Sequence, residues 1–152
     1  MTMTMDELMK VLDMQEDILQ FTHFTNADAW ELGTMILMEA RRRGAQVGIM
    51  IRRSNGEVVF QYCDNGITPH NVELMRRKSN SVLLTERSSL QLYMAATNAP
   101  ESVKQMVLDP KEYAMLGGGF PICVEEVGVV ATVAVSGMGQ VSDPVSYTHL
   151  TL

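Results

Sequence analysis

With 152 residues, 46% hydrophobic and 20% charged, the chain suits one packed domain that needs no disulfide or metal staple, and it is too apolar to be disordered throughout. Twelve basic against eighteen acidic residues leave a formal charge of -6, which gives no attraction to phosphate backbones or anionic lipid, so neither nucleic acid nor a membrane is expected as a partner. Cys63 and Cys123 have no second Cys or His at finger spacing, which predicts two small buried free thiols and no metal site.

No apolar run is long enough to span a bilayer, and Met1 to Lys10 lacks the order of a secretory signal, so a cytoplasmic location is expected. The thirteen Met residues are read as gap-filling core rather than a binding surface or a source of thioether haem ligands.

Met5, Leu8, Met9, Leu12 and Leu19 recur at roughly helical spacing and predict a helix from about Asp6 to Gln20. Thr25 and Asp28 form a capping box, which predicts a second helix from Asn26 to about Arg43 with Trp30, Gly33, Thr34, Leu37 and Ala40 on its inner face. Arg41, Arg42 and Arg43 fall in its last turn, where cations complement the carbonyl end, and Gly44 suits the left-handed stop. The triplet is therefore read as a solvated helix end rather than an anion site.

β-Branched and aromatic residues over Gln46–Arg53 and Glu57–Cys63 flank Asn55-Gly56, a pair suited to a type I′ turn, and predict a β-hairpin. Thr68-Pro69 opens a helix that Val72, Met75 and Val82 carry inward to about Ser81. Val82–Thr85 is read as a short extended edge piece, and Ser88 with Gln91 as a capping box for a helix to about Thr97. Pro100 and Asp109-Pro110 then break the chain into short helical turns. Gly117-Gly118-Gly119 stops them and lets a crowded loop feed strands near Ile122–Glu126 and Gly128–Ser136, the latter apolar on both faces as a mid-sheet strand must be. Helices at the front and middle, antiparallel strand pairs and no βαβ alternation define an α+β class.

Val145-Ser146-Tyr147-Thr148-His149-Leu150-Thr151-Leu152 resembles the translation of a sequencing-library adapter. Residues 1–143 are accordingly read as a single domain and 144–152 as foreign, with native residues after about Asp143 expected to be missing and His149 excluded from any mechanism.

The glycine run could let backbone amides approach an anion, with Lys78 supplying charge and Ser88, Ser89 or Ser136 supplying hydroxyls; the competing reading is tight chain reversal and helix capping. A serine hydrolase is rejected, because Gly-x-Ser-x-Gly is absent and no His–acid pair has a place beside Ser136. Haem ligation needs an axial donor in an apolar slot, for which His23, His70, Tyr113 and Cys123 are available. His23 is favoured as a partly buried loop residue and His70 as a structural or solvated residue of a first helical turn.

Phe24-Thr25-Asn26-Ala27-Asp28-Ala29-Trp30-Glu31-Leu32-Gly33, Arg77-Lys78-Ser79-Asn80, Ser88-Ser89, Gly117-Gly118-Gly119-Phe120-Pro121-Ile122 and Val135-Ser136-Gly137 occur in this order, and with them the chain resembles the haem-degrading-domain family. These are the GlcG-like or HbpS-like proteins, and the similarity, to an uncharacterised cytosolic branch, spans roughly Leu8 to Asp143. The resemblance implies a profilin-like five-stranded antiparallel sheet flanked by helices, with the last strand central beside the hairpin, and a homo-oligomer. It also implies a small-molecule ligand, with haem or another tetrapyrrole suggested by the family's name.

The candidate ligand-binding residues are Lys78, Ser88, Ser89, Gly117, Gly118, Gly119, Phe120, Ser136 and Gly137, with His70 or His23 as candidate haem ligands and no catalytic residue assigned. The rival expectation is a non-catalytic homo-oligomeric interaction module. Two departures stand out: family members continue past the aspartate at Asp143 with a histidine and a C-terminal helix, where this chain has Pro144, and they tend to carry an aromatic near Leu74.

Overall fold

Two capping boxes fix where the long helices begin. In the computed structural model, which describes residues 19–138, the Asp28 N–H donates to Thr25 Oγ1 at 3.1 Å and the Thr25 N–H to the Asp28 carboxylate at 2.8 Å. This opens helix α1 (Asn26–Arg42). Thr68 and Asn71 repeat the device ahead of helix α2 (Pro69–Thr85), with Pro69 at its first position.

The buried stripe of α1 is Ala29, Leu32, Gly33, Ile36, Leu37 and Ala40, whereas Trp30 is 62% exposed and Thr34 half-buried, so the expected inner face is rotated. Gly33 sets that rotation. A Cβ there would lie 2.3 Å from the Phe60 ring, so the helix turns its one side-chain-free position to the sheet. At the other end Glu39 accepts from Arg42 and Arg43, while Arg41 bonds the Tyr62 hydroxyl at 3.1 Å, which agrees with a helix end rather than an anion site.

The hairpin forms from strands β2 (Gln46–Arg53) and β3 (Val58–Cys63). Its turn is not type I′. Gly56 takes a positive φ of +95° but Asn55 does not, and the Gly56 N–H donates to Arg53 O and the Arg53 N–H to Glu57 O, both at 2.8 Å. That is a type I turn closed by a glycine bulge, with the Asn55 side chain accepting from the Glu57 N–H at 2.9 Å.

Val82–Thr85 is the last turn of α2 and not an edge strand. Polar residues that disfavour a helix on paper are satisfied inside it: Ser79 donates to Met75 O and Thr85 to Ser81 O. Glu86, at φ +58°, ends the helix. Ser88 caps helix α3 (Ser89–Asn98) by accepting from the Gln91 N–H at 3.1 Å, and Pro100 begins the short helix α4 (Pro100–Lys104).

The fifth strand comes from elsewhere. Strand β1 (Leu19–Phe21), at the end of the expected first helix, pairs in parallel with β4 (Gly119–Val124); the rest of that expected helix lies outside the described residues. With β5 (Gly128–Met138) the sheet order is β1-β4-β5-β2-β3, antiparallel except at β1/β4, so β5 is central beside the hairpin as expected. The segment read as adapter-derived also lies outside the described residues.

Alternation along the strands divides the interior. Val47, Ile49, Ile51, Phe120, Ile122, Val133 and Val135 pack with Leu32 and Ile36 under α1. Met50 and Ala134 pack with Met75 under α2, on the opposite face. Both faces of β5 are thereby buried, which is why its sequence is apolar throughout. Cys63 and Cys123 are free and half-buried rather than fully buried, and burial pushes both thiols up.

Candidate functional site

The entry to β4 is crowded, and the crowding explains its glycines. A Cβ on Gly119 would lie 3.0 Å from Ser89 Oγ, 3.1 Å from Val82 Cγ2 and 3.3 Å from Lys78 Cβ, so α2 and the start of α3 both press on this backbone. The Gly119 N–H donates to Ser89 Oγ at 2.8 Å in a buried bond. Gly118 has φ +107°, a conformation that glycine adopts without strain, and its carbonyl accepts from the Val135 N–H at 2.8 Å.

Val135 O, on the same residue of β5, accepts from the Lys78 ammonium at 3.2 Å. Lys78 is 5% exposed, and burial pushes the ammonium down to about 8 from 10.5, with no carboxylate offsetting it among the described residues. Lys78, Ser89, Gly118 and Gly119 thus converge on one point. Gly117, half-buried, leads into it.

The remaining candidates divide. Ser88 is buried and its hydroxyl caps α3. Ser136, 6% exposed, lies on the α2 side of β5 two residues beyond Ala134, and its hydroxyl accepts from Asn71 Nδ2 at 3.3 Å. Phe120 points through the sheet into the α1 core, away from Lys78, and Gly137 pairs with Val47 in the ladder. Strand alternation sends Phe120 and Gly119 to opposite faces.

Neither histidine stands at this point. His23 is exposed rather than partly buried, its Nδ1 2.9 Å from the Asp28 carboxylate at the start of α1. His70 is exposed in the first turn of α2, eight residues and so about 12 Å of helix rise before Lys78.

Sequence reasoning missed the groups that hold the segment before the glycines. Ser81 accepts from the Ala114 N–H at 3.1 Å and donates to Ala114 O at 2.8 Å. Asn80 donates to Glu112 O at 2.7 Å and accepts from Arg52 at 2.8 Å. Their signal was the Arg77-Lys78-Ser79-Asn80 block, whose polar members sit on a helix that faces a sheet. Thr132 Oγ1, on the α2 side of β5, is a buried hydroxyl without a partner among the described residues.

Chemically this point offers the Lys78 ammonium as a charged donor, while the Gly119 N–H is already taken up by Ser89 Oγ. Among the described residues no group of three His, Cys, Asp or Glu side chains could hold a metal ion, and no helix is long and apolar enough to cross a membrane.

A central β5 between two helical layers, with a lysine buried at its Gly-rich flank, defines a profilin-like α+β domain. Residues 24–145 match the family described as haem degrading protein HbpS-like, and the chain belongs to that family. It is 38% identical over 142 residues to a UPF0303 protein of Pseudomonas entomophila, covering 93% of this chain and 78% of the relative. A UPF0303 protein of Streptomyces avermitilis is 42% identical over 139 residues, covering 87% and 81%.

Among solved structures, the Ybr137w protein superposes with a TM-score of 0.72 at 26% identity, over 99% of this chain and 87% of that one. HbpS gives 0.64 at 22% identity over 86% and 87%, and the PduOC:Heme complex 0.64 at 13% identity over 84% and 92%. The last two show likeness of fold.

Proposed function

We propose that this chain is a cytoplasmic homo-oligomeric protein that binds a small anionic molecule where Lys78, Ser89 and Gly117–Gly119 meet, with the hydroxyls of Ser88 and Ser136 nearby. One observation carries the reading: a buried ammonium without a counter-ion among the described residues, whose hydrogen bond goes to the neutral Val135 carbonyl. An ammonium has three N–H donors, and burying it costs several kcal/mol unless an anion offsets the loss of water. A ligand carboxylate supplies that offset.

The family's description and the haem complex of PduOC make a tetrapyrrole the first class of ligand to try. Lys78 fits a tetrapyrrole's carboxylates. The iron fits less well, since His23 and His70 are both exposed and remote from Lys78, and no step is assigned to it. Titration of haem, and of metal-free porphyrin read by fluorescence, into the chain and into Lys78→Met tests the proposal. Loss of a buried charge pair costs about 2–5 kcal/mol, so affinity for both ligands is expected to fall at least tenfold in the variant. Equal affinity would overturn the assignment.

A second reading, a non-catalytic self-assembling interaction module, is favoured by the exposed Trp30 and Met38 on α1. No Soret shift with haem, together with concentration-dependent association, would favour it.

A further inference from the structure

Large apolar side chains on the outer face of α1 are arranged symmetrically. Trp30 is 62% exposed and Met38 65%, and both lie four residues from Thr34, so the stripe reads large, small, large along about 12 Å of helix. Beside it runs an open groove lined by Thr34, Met35, Met38, Glu39, Arg41 and Arg42. Thr34 is polar in name only. Its hydroxyl donates back to Trp30 O at 2.8 Å and Glu31 O at 3.0 Å, so that polar atom is satisfied within the helix.

We infer that this face is the contact between two copies of the chain, with their α1 helices packed antiparallel about a two-fold axis passing beside Thr34. The inference rests on the self-assembly reading above and names its surface. The axis sets Trp30 of one copy against Met38 of the other, twice, with the two small threonines at the crossing where helices come closest.

Charge selects the antiparallel sense. Glu31 is exposed near the N-terminal end of α1, and Arg41 and Arg42 lie in its last turn, so an antiparallel pair sets the acidic end beside the basic end while a parallel pair sets like beside like. Arg41 and Arg42 are already drawn toward Tyr62, Asp64 and Glu39, which leaves their aliphatic stems beside the groove. A groove open along its length suits a second helix better than a small molecule, which needs enclosure. One helix face makes a small interface, and the expected dimer is a reversible one.

Sedimentation velocity from about 1 to 100 μM is expected to show reversible dimers, and Met38→Arg should raise the dissociation constant at least tenfold. Thr34→Cys, on the axis, should yield a disulfide dimer under mild oxidation. Trp30→Cys should do so only when mixed with Met38→Cys, and the chain bearing just Cys63 and Cys123 sets the background. Circular dichroism checks that each variant folds. A chain monomeric across this range would overturn both the inference and the self-assembly reading. Dimers indifferent to Met38→Arg, or cross-linking no better at position 34 than at 30, would overturn the inference alone.

Discussion

Lys78 is the residue on which stability and binding pull in opposite directions. Its ammonium titrates near 8 when folded and near 10.5 when not, so between those values the unfolded chain holds more protons than the folded one. Stability therefore rises as pH climbs from about 8 to about 10.5, by up to ~3 kcal/mol, and binding of an anion weakens over the same climb. Replacing Lys78 by Met removes that burial cost and leaves Val135 O unpaired, which costs about 1–3 kcal/mol. The two nearly cancel. Chemical denaturation of Lys78→Met at pH 7 should give a stability within ~1 kcal/mol of the parent, and the rise between pH 8 and 10.5 should vanish. A large loss would make Lys78 a structural residue. Gly119→Ala behaves differently: its new Cβ meets Ser89, Val82 and Lys78 at 3.0–3.3 Å, and a melting curve should show a loss of about 1–3 kcal/mol.

Elements legible in the sequence are those whose ends are written in local chemistry. Thr25 with Asp28 is one such end, and Asp28→Ala should destabilise the chain by about 1–2 kcal/mol. Hydrogen bonding from the Thr25 amide holds the Asp28 carboxyl below its usual value of 3.8, so its contribution is full above about pH 4 and is lost as pH falls through the lower folded value. Urea denaturation from pH 7 down to pH 2 should show that acid loss in the parent and a shallower one in Asp28→Ala. The hairpin was legible for the same reason, though Asn55 stayed out of the left-handed region because its side chain accepts from Glu57. Strand β1 was hidden, since three residues carry no periodicity and only β4 across the sheet makes them a strand. Val82–Thr85 misled by β-branching, which the hydroxyl-to-carbonyl bonds of α2 absorb.

At the scale of the described residues, the centre of the sheet is buried on both faces, with the candidate anion site on the α2 side and the exposed Trp30–Met38 stripe over the α1 side. The close approach of Lys78 and Ser89 to Gly119 was legible because a run without side chains implies crowding, whereas Ser88 and Ser136, nominated beside them, bond to Gln91 and Asn71 instead. Phe120 was not, because which face a strand residue takes depends on the phase of a ladder that begins at Gly119. Nor was the hold of Ser81 on Ala114, which spans thirty-three residues. We propose that the buried Lys78 ammonium recognises a carboxylate. The most direct test is the affinity of metal-free porphyrin for the parent chain and Lys78→Met at pH 7 and pH 10. Affinity at pH 7 is expected to be at least tenfold weaker in Lys78→Met, and to drop toward that level in the parent at pH 10. A parent and variant that bind alike at both pH values would contradict it.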